Sequence, residues 1–381
     1  MPHPYASQPA NRKTGSTIMA VGAISGTSMD GVDVAMIETD GEGSVVRGPS
    51  HMRPYTDGER ATIAAAQADG MAAPHHRHRT DALRAAEAVV THAHREAIEA
   101  LIMHHQLSPG VIGWHGQTVA HAPERRMTMQ LGNPQAMADA LNANVVFDLR
   151  QADIASGGEG APLVPIYHRA LAQAAGLQQP LLVINLGGVA NITFIDGETL
   201  IAFDTGPASA MVDDAVAAIG QPYDEGGALA AQGQVDQGAL KALLDHPYFK
   251  EPPPKSLDRD AFGAGPVQGL ALEDKVATLT RFSAEAIGRA AALLPRPPST
   301  VIAAGGGTHN RTLMGFIADA VQQPIRSADD VGFSSDFMEA EAFAYLAVRS
   351  LHGAPITFPG TTGVEAPLTG GRVFAPNQGA A

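Results

Sequence analysis

Apolar residues recur along this chain in two rhythms, one of period two and one near 3.6. From Thr17 to Ile24 the run is short, apolar and partly β-branched. The glycine-bearing segment Ser25-Gly26-Thr27-Ser28-Met29-Asp30-Gly31 follows, then a second apolar run from Val32 to Thr39, which predicts two strands joined as a hairpin. The same order returns near Leu181: an apolar run to Leu186, the turn Gly187-Gly188, Asn191 to Ile195, the turn Asp196-Gly197, then Leu200 to Phe203 ahead of Asp204-Thr205-Gly206. Two halves that open alike predict two α/β domains with their glycine turns on facing walls of a cleft. Between them, Thr80 to His105 carries Leu83, Ala86, Val90, Ile98 and Leu101 at helical spacing, predicting one buried face with the histidines on the solvated side. Short strands are expected at Val111–Trp114, Met127–Leu131 and Asn144–Leu149, completing a mixed sheet. In the second half the pattern predicts helices near Ala208–Ile219 and Asp274–Leu294, a strand at Thr300–Ala304, and a helix over Phe337–Leu351 ended by Gly353 and Pro355. His246 to Gly265, with Pro247, Pro252, Pro253 and Pro254, reads as a loop or extended flap.

A chain of 381 residues exceeds the usual size of one hydrophobic core. The expected organisation is a disordered tail over 1–16, a first domain over 17–150 rejoined by 354–381, and a second domain over 151–353. The formal net charge of -14 repels nucleic acid and anionic membrane surfaces. No apolar run reaches the length of a bilayer span or forms a signal core, so no membrane partner and a cytoplasmic location are expected. The absence of cysteine removes disulfides, thiolate nucleophiles and sulfur-ligated metals. Any phosphate must therefore be held locally, by backbone amides, a helix N-terminus or a bridging cation.

No glycine precedes a lysine, so the P-loop is absent, and phosphates would rest on tight glycine turns. The segment Gly26 to Asp33 is suited to holding them. Gly26 and Gly31 permit close approach, Thr27 and Ser28 add hydroxyls, and Asp30 and Asp33 are placed to hold Mg²⁺ through water. The alternative is an ordinary Asp-Gly hairpin turn. Gly305-Gly306-Gly307-Thr308-His309-Asn310, between a strand and a helix, reads either as a flat seat for adenine or phosphate or as a flexible connection. Trp114-His115-Gly116-Gln117-Thr118-Val119-Ala120-His121 mixes an aromatic face, an amide and imidazoles, as sugar recognition requires, though a satisfied polar core edge fits too. Asp204, after an apolar strand and before a glycine, is the strongest candidate base, with helix N-capping as its alternative. Asp148 and Asp153 around Arg150 read as an ion-pair network, and Asp336 with Glu339 has capping-box spacing.

As a set these segments resemble the anhydro-N-acetylmuramic acid kinase family. The match includes Ser25 to Asp33, Trp114 to Thr118, Gln130-Leu131-Gly132-Asn133-Pro134, Gly157 to Leu163, Asn185 to Asn191, Phe203 to Pro207, Lys255-Ser256-Leu257-Asp258-Arg259 and Met338-Glu339-Ala340, in order. The resemblance implies the two-domain fold of the sugar kinase, actin and heat-shock ATPase superfamily (duplicated mixed-sheet α/β domains with a ligand cleft between them), a homodimer, and use of ATP and Mg²⁺ on an amino sugar in cell-wall recycling. It further implies Asp204 as the catalytic base. Nucleotide contacts are expected from Gly26, Thr27, Ser28, Met29, Asp30, Gly31, Val32, Asp33, Thr205, Gly206, Gly305, Gly306, Gly307 and Asn310. Sugar contacts are expected from His115, Gln117, Thr118 and Glu339, and metal contacts from Asp30 and Asp204. One departure is visible: Ala208-Ser209 follow Pro207 where the family usually has Gly-Asn, which bears on how the next helix N-terminus meets a phosphate.

Overall fold

The structure, a computed structural model, describes residues 16–257, 259 and 261–377; apart from Ser16, the tail expected over 1–16 lies outside them. Twelve strands occur among the described residues: β1 Ile18–Ser25, β2 Gly31–Thr39, β3 Val45–Pro54, β4 Val111–Ala122, β5 Met127–Leu131, β6 Val145–Phe147, β7 Leu181–Leu186, β8 Val189–Asp196, β9 Thr199–Pro207, β10 Thr300–Ala304, β11 Ile325–Ser327 and β12 Arg372–Phe374. Contacts divide the chain into two units, one running to Ala174 and resuming at Phe337, the other Ala175–Asp336.

The first unit holds a seven-stranded sheet in the order β12-β6-β4-β1-β2-β3, with β5 added to β4. β1 and β2 form the expected hairpin, Ile24 opposite Asp33, which leaves Gly26 to Asp30 as its turn. β4 runs parallel to β1 and continues to Ala122, well past the expected end at Trp114. The polar residues that hid this continuation find partners off the strand: Gln117 in Ser25 of β1, Thr118 and His121 in Gln130 and Thr128 of β5, and His115 in Arg150. β3 and the helix Asp57–Ala72 were not signalled by periodicity. β3 pairs only with β2, alternates weakly and contains Pro49, as an edge strand tolerates. The helix announces itself through its cap: Thr56 and Glu59 form a capping box.

The helix Asp81–His105 is N-capped by Thr80 and buries Leu83, Ala86, Val90, Ile98 and Leu101 as expected. Its histidines divide, however. His94 is fully buried, its ring 5.5 Å from that of Trp114 and its Nδ1 2.8 Å from the Val90 carbonyl, because its position falls on the apolar stripe. Against the sheet lies the helix Met338–Leu351, touching β1, β2 and β4. Gly22 and Gly113 permit that approach: a Cβ would fall 1.8 Å from the Ala340 carbonyl oxygen at Gly22 and 1.9 Å from that of Phe343 at Gly113.

The second unit repeats the plan of five of those seven strands. Its sheet is ordered β11-β10-β7-β8-β9, with β7 antiparallel to β8 and β8 to β9, then β10 parallel to β7 and β11 parallel to β10. In the first unit β1, β2, β3, β4 and β6 pair in the same way. The two halves that open alike are thus duplicated mixed sheets. Leu182, Ile184, Phe194 and Phe203 pack with Ala284 and Ile287 of the helix Leu272–Ala291 to form the core. β9 runs on to Pro207, so Asp204 stands within the strand rather than in a turn after it. The following helix is Ala210–Ala217, and Ala208 and Ser209 reach it without a positive φ.

Candidate active site

In the first unit the Gly26–Asp30 turn is tied down at both ends. The Gly26 carbonyl accepts the Met29 N–H (3.2 Å) and the Asp30 carbonyl accepts the Tyr55 N–H (3.0 Å). Met29 takes the left-handed conformation, φ 54°, which turns the chain back toward β2. The exposed Asp30 carboxylate accepts the Ser28 hydroxyl at 2.9 Å and the Gly31 N–H at 3.0 Å. Val32 is buried beneath the turn and Asp33 half-buried on β2.

A second group gathers where β4 bulges. Its register against β1 passes from Trp114 opposite Ala23 to Gly116 opposite Ile24, leaving His115 unpaired and Gly116 at φ 74°, a device that re-aims side chains beside sites. His115 Nε2 accepts the Arg150 Nε–H at 2.9 Å, so its Nδ1, 2.9 Å from the Gly116 carbonyl, is the N–H donor. Burial first, then the Arg150 charge, holds this imidazole neutral and far below the usual histidine range. Arg150 also donates to the Gly160 carbonyl at 2.7 Å, while the buried Asp153 carboxylate accepts the Gly160 N–H at 2.7 Å and the Thr362 hydroxyl at 2.6 Å. Arg150 and Asp153 therefore both brace the Gly157–Gly160 turn. Glu339 is exposed; desolvation raises its carboxyl, and the Arg150 charge offsets part of the rise. The capping box expected of Asp336 and Glu339 does not form, since the N-cap is Phe337. Thr118, half-buried, accepts the Gln130 amide at 3.1 Å. Gln117 is fully buried and turned toward Ser25 and Gly26 instead.

In the second unit β9 also bulges, Ala190 pairing with Gly206 and Asn191 with Asp204, which sets Thr205 off the ladder. Asp204 is held by the segment from Tyr248 to Leu257. Its N–H donates to the Lys255 carbonyl at 3.0 Å, its Oδ2 accepts the Leu257 N–H at 2.8 Å, and its carbonyl accepts the Tyr248 hydroxyl. The carboxylate is thus oriented by a backbone donor, and the helix-capping alternative falls because that helix starts after Ser209. The N–H groups of Ala208 and Ser209 turn to Gly188 and Gly187. Gly305, at φ 87°, donates to the Ser335 carbonyl, and a Cβ there would meet Asn185 Oδ1 and the Leu186 carbonyl at 2.8 Å. Gly306 is exposed and Gly307 buried. Asn310 caps the helix Arg311–Val321 through Leu313, and Thr312 donates to the Gly227 carbonyl at 2.8 Å, so the turn rests on a second glycine turn at Asp224–Gly227.

Sequence reasoning passed over Arg150 as a site residue, Tyr248 and the Asp224 turn. Each is recognisable only through partners far along the chain. Among the described residues no group of three or more His, Asp or Glu is gathered to hold a metal ion, and no helix is long and apolar enough to cross a membrane.

The duplicated sheets are those of the two-domain actin and hexokinase-like fold. The family model described as anhydro-N-acetylmuramic acid kinase matches residues 18–376. The anhydro-N-acetylmuramic acid kinase of Rhodopseudomonas palustris (strain ATCC BAA-98 / CGA009) is 48% identical over 363 residues, spanning 94% of this chain and 99% of its own. That of Rhizorhabdus wittichii RW1 is 50% identical over 368 residues, spanning 94% and 99%. A more distant likeness is the crystal structure of the Acidaminococcus fermentans (R)-2-hydroxyglutaryl-CoA dehydratase component A, at 10% identity and TM-score 0.48 over 88% of this chain and 99% of that one. The chain belongs to the anhydro-N-acetylmuramic acid kinase family.

Proposed function

We propose that this protein is an ATP-dependent kinase of 1,6-anhydro-N-acetylmuramic acid, acting in peptidoglycan recycling. Water opens the anhydro ring and ATP phosphorylates O6, giving N-acetylmuramic acid 6-phosphate and ADP. What carries the assignment is the match at close to half identity over nearly the whole of both chains.

Within that reading Asp204 is the general base. Its Leu257 bond orients the carboxylate that takes the proton. The proton moves from water to Asp204 as the water oxygen bonds to C1. The C1–O6 bond breaks, and O6 takes the γ-phosphoryl group as the bond to the ADP oxygen breaks. The Gly26–Asp33 loop would hold phosphates on its amides, with the Gly305 turn, Asn310, Thr205 and Gly206 toward the rest of the nucleotide. The Arg150 guanidinium, braced by His115 and Gly160, suits the lactyl carboxylate, while Thr118 and Glu339 suit sugar hydroxyl and acetamido groups.

A Mg²⁺ ion on ATP neutralises phosphate charge, and it is bound through one or two carboxylates, phosphates and water rather than a protein cage. Asp30 and Asp204 are the carboxylates we assign to it. A cytoplasmic homodimer completes the proposal. In steady-state kinetics Asp204→Asn should lower kcat by about 10²–10⁴-fold, the usual worth of a general base. A variant turning over within severalfold of wild type would remove Asp204 from the base role.

A further inference from the structure

The sequence places Gln117 among the sugar contacts, and its surroundings give it a different role. Gln117 is the direct neighbour of Ser25 in the parallel β1/β4 ladder, and both side chains are buried. Its amide oxygen accepts the Ser25 hydroxyl. Its amide nitrogen donates to the Gly26 carbonyl at 3.1 Å and the Thr118 carbonyl at 3.3 Å. One oxygen faces a hydroxyl and one NH₂ faces two carbonyls, so only one orientation of the amide satisfies the set. Both amide hydrogens are used, so no donor is left over for a ligand, and the oxygen already accepts from Ser25.

The consequence lies in the next peptide unit. The Gly26 carbonyl and the Thr27 N–H share one planar trans peptide and point in opposite directions. Drawing that carbonyl inward, onto Gln117 and the Met29 N–H, turns the Thr27 N–H outward. Thr27 and Ser28 are both exposed, and their N–H groups meet no acceptor among the described residues. A turn with its Gly26 carbonyl tied inside and the Thr27 amide turned out is an anion seat fixed before the anion arrives.

We propose that Gln117, oriented by Ser25, is a positioning residue for the nucleotide: it clamps the Gly26 carbonyl and so aims the loop amides at the phosphates, touching neither sugar nor ATP. This rests on the kinase reading above. It predicts a split that a sugar contact or a space-filling residue would not produce.

The test titrates ADP and a non-hydrolysable ATP analogue into wild type, Gln117→Met and Ser25→Ala by calorimetry, with KM for each substrate measured alongside. Gln117→Met keeps the volume and loses the donor. Its nucleotide affinity should fall by about tenfold, the worth of one lost bond and a disordered seat, while KM for the sugar stays within about twofold. Ser25→Ala, which deletes only the orienting hydroxyl, should weaken nucleotide binding in the same direction by less. It carries the test alone should Gln117→Met not fold, as its thermal unfolding would reveal. Unchanged nucleotide affinity in both variants, or a loss confined to the sugar KM, overturns the clamp with the kinase reading intact. A wild type that binds no nucleotide overturns both.

Discussion

At the scale of single residues, the division between what the sequence discloses and what it hides follows the distance to the partner. Asp204 stands out because its signals are local, a carboxylate between an apolar run and a glycine. The bonds that orient it come from Lys255 and Leu257, some fifty positions on, and no local pattern announces them. His94 shows the same limit, since helical spacing puts it on the apolar stripe while its polarity argues for water. Burial holds its imidazole down at about 4. The unfolded chain takes up that proton near pH 6.5 and the folded one only near 4, so this residue's share of stability is lost as pH falls through that window. Asp148, pushed up to about 6 by burial, works in the opposite sense as acid neutralises it. Comparison with His94→Gln therefore isolates the histidine. Urea midpoints at pH 6.5 and 5.0 should show wild type losing about 2 kcal/mol more than the variant; equal losses would mean that His94 protonates in the folded state as it does in water.

At the scale of elements, strands and helices with a clean rhythm were legible: the β1–β2 hairpin, β7, β10 and the helices Asp81–His105 and Met338–Leu351 fall where the apolar pattern predicts. Elements whose stability comes from across the sheet were not. β4 carries polar residues from His115 on because Ser25 of β1, Gln130 and Thr128 of β5, and Arg150 satisfy them, and β3 is an edge strand with a weak alternation of its own. Nor does the sequence say why Gly22 and Gly113 interrupt otherwise apolar strands, until the helix Met338–Leu351 is seen against them. Gly113→Ala would drive a Cβ to 1.9 Å from the Phe343 carbonyl oxygen. Backbone cannot rotate away as a side chain can, so the helix must shift. The expected loss is about 3 kcal/mol, the upper end of ordinary overpacking, read as a lower urea midpoint with the slope unchanged. A stability within about 0.3 kcal/mol of wild type would mean that the helix rides higher on the sheet than described.

At the scale of the whole molecule, duplication was legible as a coarse echo between two openings and becomes explicit in the matched strand pairings of the two sheets. The family was legible too, because eight short segments kept their order along the chain. The return of the C-terminal segment to the first unit was expected, but its bounds were harder to read: the first unit runs to Ala174 rather than 150 and resumes at Phe337 rather than 354, limits set only by long-range contacts. A net charge of -14 sets the electrostatic problem for any phosphate ligand, and under the proposed clamp the Gly26 carbonyl tied to Gln117 is a local answer to it. The central claim is that Asp204 activates water to open the anhydro ring while O6 receives phosphate. It is tested most directly by supplying 1,6-anhydro-N-acetylmuramic acid, ATP and Mg²⁺ in ¹⁸O-labelled water and reading the product by mass and label position. The account predicts a 6-phosphate labelled at C1, formed by wild type and lost in Asp204→Asn. A phosphorylated sugar carrying no label would contradict it and make the enzyme a conventional hydroxyl kinase.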